Sequence, residues 1–132
     1  MPRARVLVVE GDKSTRQLVS QTLTQEGYDV VEVDNLEEGL KAVRPTKGQR
    51  AIDVVLCNRQ ISSKKGQDPI LQFLAHRPAI PIVMLADHAD LHYATQMFRQ
   101  GVVDYLVKPV QSKALIDVIR HAIKMSQEQP NV

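Results

Sequence analysis

The chain has 132 residues, 43% hydrophobic and 24% charged, the composition of one globular domain with enough apolar surface for a single core. No apolar run approaches the ~20 residues of a membrane-spanning helix, the 6–9 run is too short for a secretory signal, and the lone Cys57 excludes an intrachain disulfide or a cysteine zinc cluster and fits a reducing cytoplasm. A net charge of +2, from 17 Lys and Arg against 15 Asp and Glu, is too small to argue for nucleic acid.

The first predicted strand, 5–10, is a near-continuous apolar run, as suits a strand buried on both faces of a parallel sheet. A helix follows, capped by Asp12 or Ser14, with Leu18, Val19 and Leu23 on one face and Gly27 as its stop. The second strand, 28–33, carries two acids and reads as an exposed edge. Asn35 and Glu38 have capping-box spacing for a second helix, whose apolar positions are Leu36, Leu40 and Val43. After an irregular polar loop, 45–50, comes the third strand, 53–58, and a second polar loop, 60–67. Asp68-Pro69 opens the third helix, with Ile70, Phe73 and Leu74 turned inward. The fourth strand is 80–85. The fourth helix, 89–100, carries Leu91, Ala94, Met97 and Phe98 and stops at Gly101. The fifth strand, 103–107, leads to a helix from about Ser112, where Leu115, Val118, Ile119, Ala122 and Ile123 follow the i, i+3, i+4, i+7, i+8 rule. Residues 126–132 are polar and read as a tail or linker, leaving 1–125 as the domain.

Strand–helix alternation of this kind means a doubly wound parallel α/β sheet, (βα)5, and the flavodoxin-like strand order 2-1-3-4-5 puts the acidic second strand at an edge. In such sheets function gathers outside the carboxyl ends of the strands. Those ends read Glu10-Gly11-Asp12, Asn58-Arg59, Ala86-Asp87 and Lys108-Pro109.

These stretches carry a resemblance. Val-Leu-Val-Val-Glu-Gly-Asp with Arg16 beyond it, Asp53-Val-Val-Leu-Cys-Asn58, Gly66, Pro81-Ile-Val-Met-Leu-Ala86 and Gly101-Val-Val-Asp-Tyr105-Leu-Val-Lys108-Pro109 resemble the receiver domain of two-component response regulators, over 3–125. The resemblance implies phosphoryl transfer from a histidine kinase to an aspartate ending the third strand. It implies two acids after the first strand on magnesium, a Lys against the phosphoryl group, a Thr or Ser ending the fourth strand and a mobile aromatic on the fifth. It also implies a cis bond before Pro109. Glu10, Lys108 and Tyr105 match this pattern. The acceptor position is Asn58, the second acid position is Gly11, and the hydroxyl position is Ala86.

An amide oxygen is neutral and cannot form the acyl phosphate. Magnesium prefers carboxylates. With two of three acids gone, Glu10 and Lys108 balance without a metal, so no cofactor is expected and Mg²⁺ binding should be weak or absent, Glu10 and Asp12 being its only candidate ligands. Asp12 either turns inward past the flexible Gly11 or caps its helix, and helix-start statistics favour the cap. Ala86 leaves room beside Tyr105, whose ring either rests inward or lies outward on the surface.

Other features are weaker. Ser62-Ser63-Lys64-Lys65 reads as a solvated turn before a phosphate contact, and Arg59 as solvent-facing before a partner of Glu10 or Asn58. His88 and His92 are four apart but lack a third ligand. Cys57 reads as buried core. The resemblance makes the fourth helix, fifth strand and fifth helix, with His92, Gln96, Arg99, Tyr105 and Lys113, a face for dimerisation or output partners. The expected function is thus a receiver-like, non-enzymatic signalling domain, cytoplasmic and acting through protein partners such as a histidine kinase or an output domain. Membrane and nucleic acid are not expected partners. The competing readings are a receiver phosphorylated at a substitute acid, Asp12 or Asp87, and a flavodoxin-like cofactor binder. The second is disfavoured by acids where its phosphate loop should be.

Overall fold

Strands and helices alternate throughout the computed structural model, which describes residues 3–44, 47–88 and 91–128. In chain order they are β1(Arg5–Val9), α1(Lys13–Gln25), β2(Asp29–Val33), α2(Leu36–Val43), β3(Val54–Asn58), α3(Pro69–His76), β4(Ile82–Ala86), α4(Leu91–Gln100), β5(Asp104–Val107) and α5(Ser112–Gln127). The strands form one parallel sheet in the order β2-β1-β3-β4-β5. Both faces of its centre are covered. Leu7, Val9, Val55, Cys57, Ile82 and Met84 meet α2, α3 and α4 on one side. Val6, Val8, Val54, Leu56, Val83 and Leu85 meet α1 and α5 on the other. This two-sided burial explains the continuous apolar runs, while β2, partly exposed, is the edge as expected. Close packing leaves little slack: a Cβ on Gly39 of α2 would sit 3.1 Å from the Phe73 ring.

Helix ends follow their caps. Asp12, not Ser14, caps α1 by accepting from the Thr15 amide. Asn35 caps α2 through the Glu38 amide, but the return half of the expected box is missing because Glu38 pairs with Lys41 instead. Asp68 accepts from the Ile70 amide, with Pro69 first in α3. Gly27 and Gly101 end α1 and α4 with φ of +94° and +113°, a backbone region open to glycine.

Several expectations are corrected. β4 begins at Ile82 rather than residue 80, since Pro81 has no N–H for the ladder and Ile80 donates to a turn at Arg77. Leu18 is exposed, one position round the helix from the buried Val19, whereas Leu74 and Val118 are half-buried and pack against the core as expected. Leu91 (84% exposed) and Phe98 (46%) lie beside the buried Ala94 and Met97, on the solvent side of the same apolar stripe of α4. Ser126 and Gln127 continue α5 rather than forming a tail. The predicted helix residues 89–90, loop residues 45–46 and tail residues 129–132 lie outside the described residues.

Candidate functional site

The carboxyl ends of β1, β3 and β5 bring Glu10, Asn58 and Lys108 into direct contact. Glu10 is fully buried (1% exposed), and its carboxylate is answered entirely by protein donors. The Asn58 Nδ2 donates to both carboxylate oxygens, at 3.0 and 2.9 Å. The Lys108 Nζ lies 2.6 Å from Oε1, and the Asp12 amide donates to Oε2 at 3.0 Å. Asn58 Oδ1 accepts from the Gln60 amide at 2.8 Å. Those partners fix the amide's orientation, because a flipped Asn58 would set oxygen against carboxylate and N–H against N–H. A buried carboxylate without such donors would be costly. Here one negative and one positive charge, joined by a neutral amide, close the corner.

The β1–α1 turn holds this arrangement from behind. Arg16 donates to the carbonyl oxygens of Glu10 and Gly11 at 2.8 and 3.4 Å. Asp12 points away from the corner. Its carboxylate accepts from the Thr15 hydroxyl at 2.6 Å as well as the Thr15 amide. These bonds, the hydroxyl's first, hold its pKa below the ordinary value. Gly11 contributes no side chain.

The chemistry of this donor set does not fit magnesium. A hard cation wants several oxygen ligands. The corner offers one carboxylate with both oxygens already engaged, an amide presenting N–H, an ammonium and a displaced Asp12. Among the described residues, no group of three or more His, Cys, Asp or Glu side chains could hold a metal ion. Asp87 lies 3.8 Å from Lys108 and is largely open to solvent.

Beside the corner, Ala86 is buried at the end of β4. Tyr105 is half-buried, packed on the α2–α3–α4 side of the sheet and edge-on to Phe98 with ring centroids 6.0 Å apart. It is neither solvated nor fully enclosed. The Lys108–Pro109 peptide bond is cis. Arg59 faces neither Glu10 nor open solvent: its guanidinium carbon lies 3.3 Å from the centroid of the Tyr93 ring. Sequence reasoning missed Tyr93, which α4 carries over the end of β3. Together with Asn58, Ala86, Asp87 and His88, this pair lines a cavity of about 200 Å³.

The remaining candidates find structural places. Ser63 donates to Glu37 at 3.1 Å and Ser62 accepts from the Leu36 amide at 2.9 Å, tying the 60–67 loop to α2. Cys57 is fully buried, and burial pushes its thiol pKa up, so it is a poor nucleophile.

A family model described as the response regulator receiver domain matches residues 6–120. Response regulator protein FleR of Pseudomonas aeruginosa is 31% identical over 121 residues, covering 91% of this chain and 25% of that protein. DNA-binding transcriptional regulator NtrC of Escherichia coli K12 is 29% identical, covering 98% of this chain and 27% of its own length. The chain therefore spans about a quarter of the length of these curated relatives. A response regulator receiver domain protein from Clostridium thermocellum has a solved structure that superposes with a TM-score of 0.81 at 27% identity, covering 94% of this chain and 97% of that one.

Proposed function

The chain belongs to the response regulator receiver domain family, and from that premise we propose that it signals through protein contacts without being phosphorylated at position 58. The observation that carries this reading is the Asn58 amide donating to both oxygens of Glu10, with Lys108 at 2.6 Å from the same carboxylate. Phosphoryl transfer needs an anionic oxygen at position 58 and a divalent cation beside it. This corner supplies neither, and its lysine is held by Glu10. Asp12 is a poor substitute acceptor because its carboxylate is occupied by Thr15.

The partners we infer are proteins: a histidine kinase that docks without transferring phosphorus, or an output domain. A homodimer through α4, β5 and α5 belongs to the same reading, supported by the exposed Leu91 and Phe98. A cytoplasmic setting and no direct nucleic-acid contact by this domain complete it.

Intact-mass measurement after incubation with acetyl phosphate and Mg²⁺ tests the reading. The wild-type mass stays unchanged. A gain of one phosphoryl group, on Asp12, Asp87 or elsewhere, overturns it. The Asn58→Asp variant, run beside it, locates the defect: phosphorylation of the variant alone means only the acceptor was lost, whereas two inert proteins point to the missing ligand at Gly11.

A further inference from the structure

A groove of about 550 Å³ runs between the start of α3 and one face of α4, next to the closed corner but separate from it. Its apolar lining comes from Pro69, Ile70, Met84 and Met97, and two guanidinium groups, Arg59 and Arg99, also line it. The α4 residues Tyr93, Gln96, Met97 and Gln100 that line it recur at i, i+3, i+4 and i+7, so a single helix face builds this wall.

The charge in the groove is one-sided. Its single acid among the described residues, Asp68, is already engaged on both oxygens, by the Ile70 amide at 2.9 Å and the Gln100 side-chain amide at 3.1 Å. Neither Arg59 nor Arg99 forms an ion pair among the described residues. The Arg59 guanidinium carbon lies over the Tyr93 ring, 3.3 Å from its centroid, a separation that suits flat stacking. Stacking uses the face of the guanidinium and leaves its in-plane N–H groups for acceptors, the geometry suited to a carboxylate.

We propose that this groove receives an acidic segment of a partner protein, with carboxylates on Arg59 and Arg99 and an apolar side chain between them over Met84 and Met97. A lone small anion would leave the apolar lining uncovered, and a basic segment would meet two arginines. The volume suits a ligand of a few residues. The proposal goes beyond the phosphorylation reading and does not depend on it, so the two can fail separately.

Heteronuclear NMR titration of the full chain tests it. The probe is an acetylated, amidated peptide of about five alternating Glu and Leu residues. Its counterpart carries Lys in place of Glu, and sodium glutarate serves as a free dicarboxylate. The acidic peptide should give saturable shifts at residues 59, 66–70 and 93–100, with a Kd of about 1 mM or tighter. Binding should weaken as salt is raised and fall about tenfold in the Arg59→Gln/Arg99→Gln double variant, whose dispersed spectrum shows that it remains folded. The proposal is overturned if the Lys peptide binds equally well, if the shifts fall elsewhere, if no shifts appear, or if glutarate alone matches the peptide. A rise in oligomeric state on dilution-sensitive sedimentation, with the same residues shifted in the absence of peptide, would assign the groove to a second copy instead.

Discussion

Where β1, β3 and β5 end, each charge is answered from within the chain: Glu10 takes donors from Asn58, Lys108 and the Asp12 amide, and almost none of its surface reaches water. Where β3 meets α4, Arg59 lies on an aromatic face and forms no ion pair among the described residues, and Arg99 lines the same groove. The contrast follows from solvent. A buried carboxylate must be matched or it destabilises the fold, whereas a guanidinium that is only partly buried against an aromatic ring keeps contact with water and tolerates the lack of an ion pair. In this chain the corner where β1, β3 and β5 end is matched from within, and the arginines without an ion pair among the described residues lie beside it.

The largest effect should come from opening the closed corner. Glu10→Ala strands the Lys108 ammonium and the Asn58 amide over a cavity, and should cost about 3 kcal/mol in urea unfolding. A loss under about 1 kcal/mol, the range of a surface ion pair, would show that the corner is not closed. Next is Asn58→Asp, which sets a second carboxylate where the amide now lies 2.9 Å from Glu10. Like charges that close raise a carboxyl pKa, so the folded variant holds a proton that the unfolded chain releases near pH 4. Stability therefore falls as pH rises from about 4 through the raised value, and the loss is about 2 kcal/mol at pH 7. Added Mg²⁺ should recover part of it in the variant and leave the wild-type melting temperature unmoved. A wild-type Tm that rises with Mg²⁺ would contradict the closed corner.

The closed corner was legible in the sequence because strand ends are. The third run, read as 53–58, ends at Asn58 as expected and the fourth, read as 80–85, ends one residue later at Ala86, and a parallel sheet brings such carboxyl ends together whatever the loops do. The open corner was not legible. The Arg59–Tyr93 contact joins residues far apart in the chain and depends on how α4 is rotated, which its apolar pattern leaves open. Leu91, Ala94, Met97 and Phe98 look like one stripe, yet only Ala94 and Met97 are buried. Leu18 misled in the same way beside Val19. Glu38 shows a further limit: spacing identifies a cap partner but not the competing Lys41. Asp12 came out as expected, because a cap needs only its own helix start.

Asp12 lies at the exposed rim of the closed corner, its amide bonded to Glu10, and its effect should be smaller than that of either corner variant. Its pKa is depressed from an ordinary value of 3.8, chiefly by the Thr15 hydroxyl. A depressed folded pKa contributes stability that is fully present above the unfolded value and is lost as pH falls through the folded one. Asp12→Asn keeps a capping oxygen but has no such titration. The wild-type advantage over this variant should therefore shrink below about pH 4 and stay level from pH 5 to 7, as read from thermal unfolding across that range. An advantage that grows on acidification would reverse the assignment of Asp12 as an ionised cap.

The smallest effect belongs to the open corner. Arg59→Ala and Tyr93→Ala, combined in a double-mutant cycle, should give a coupling energy of about 0.5 kcal/mol, typical of a cation–π pair at an exposed site. The cycle is sharper than either single variant, because Tyr93 also makes contacts apart from Arg59. A coupling of about 2 kcal/mol or more would mean that the pair is desolvated and structural. Arg59 would then be part of the core's own matching of charge, and its in-plane donors would no longer be available to a partner. A small coupling leaves Arg59 cheap to rearrange, which is what a recognition residue beside a closed core requires.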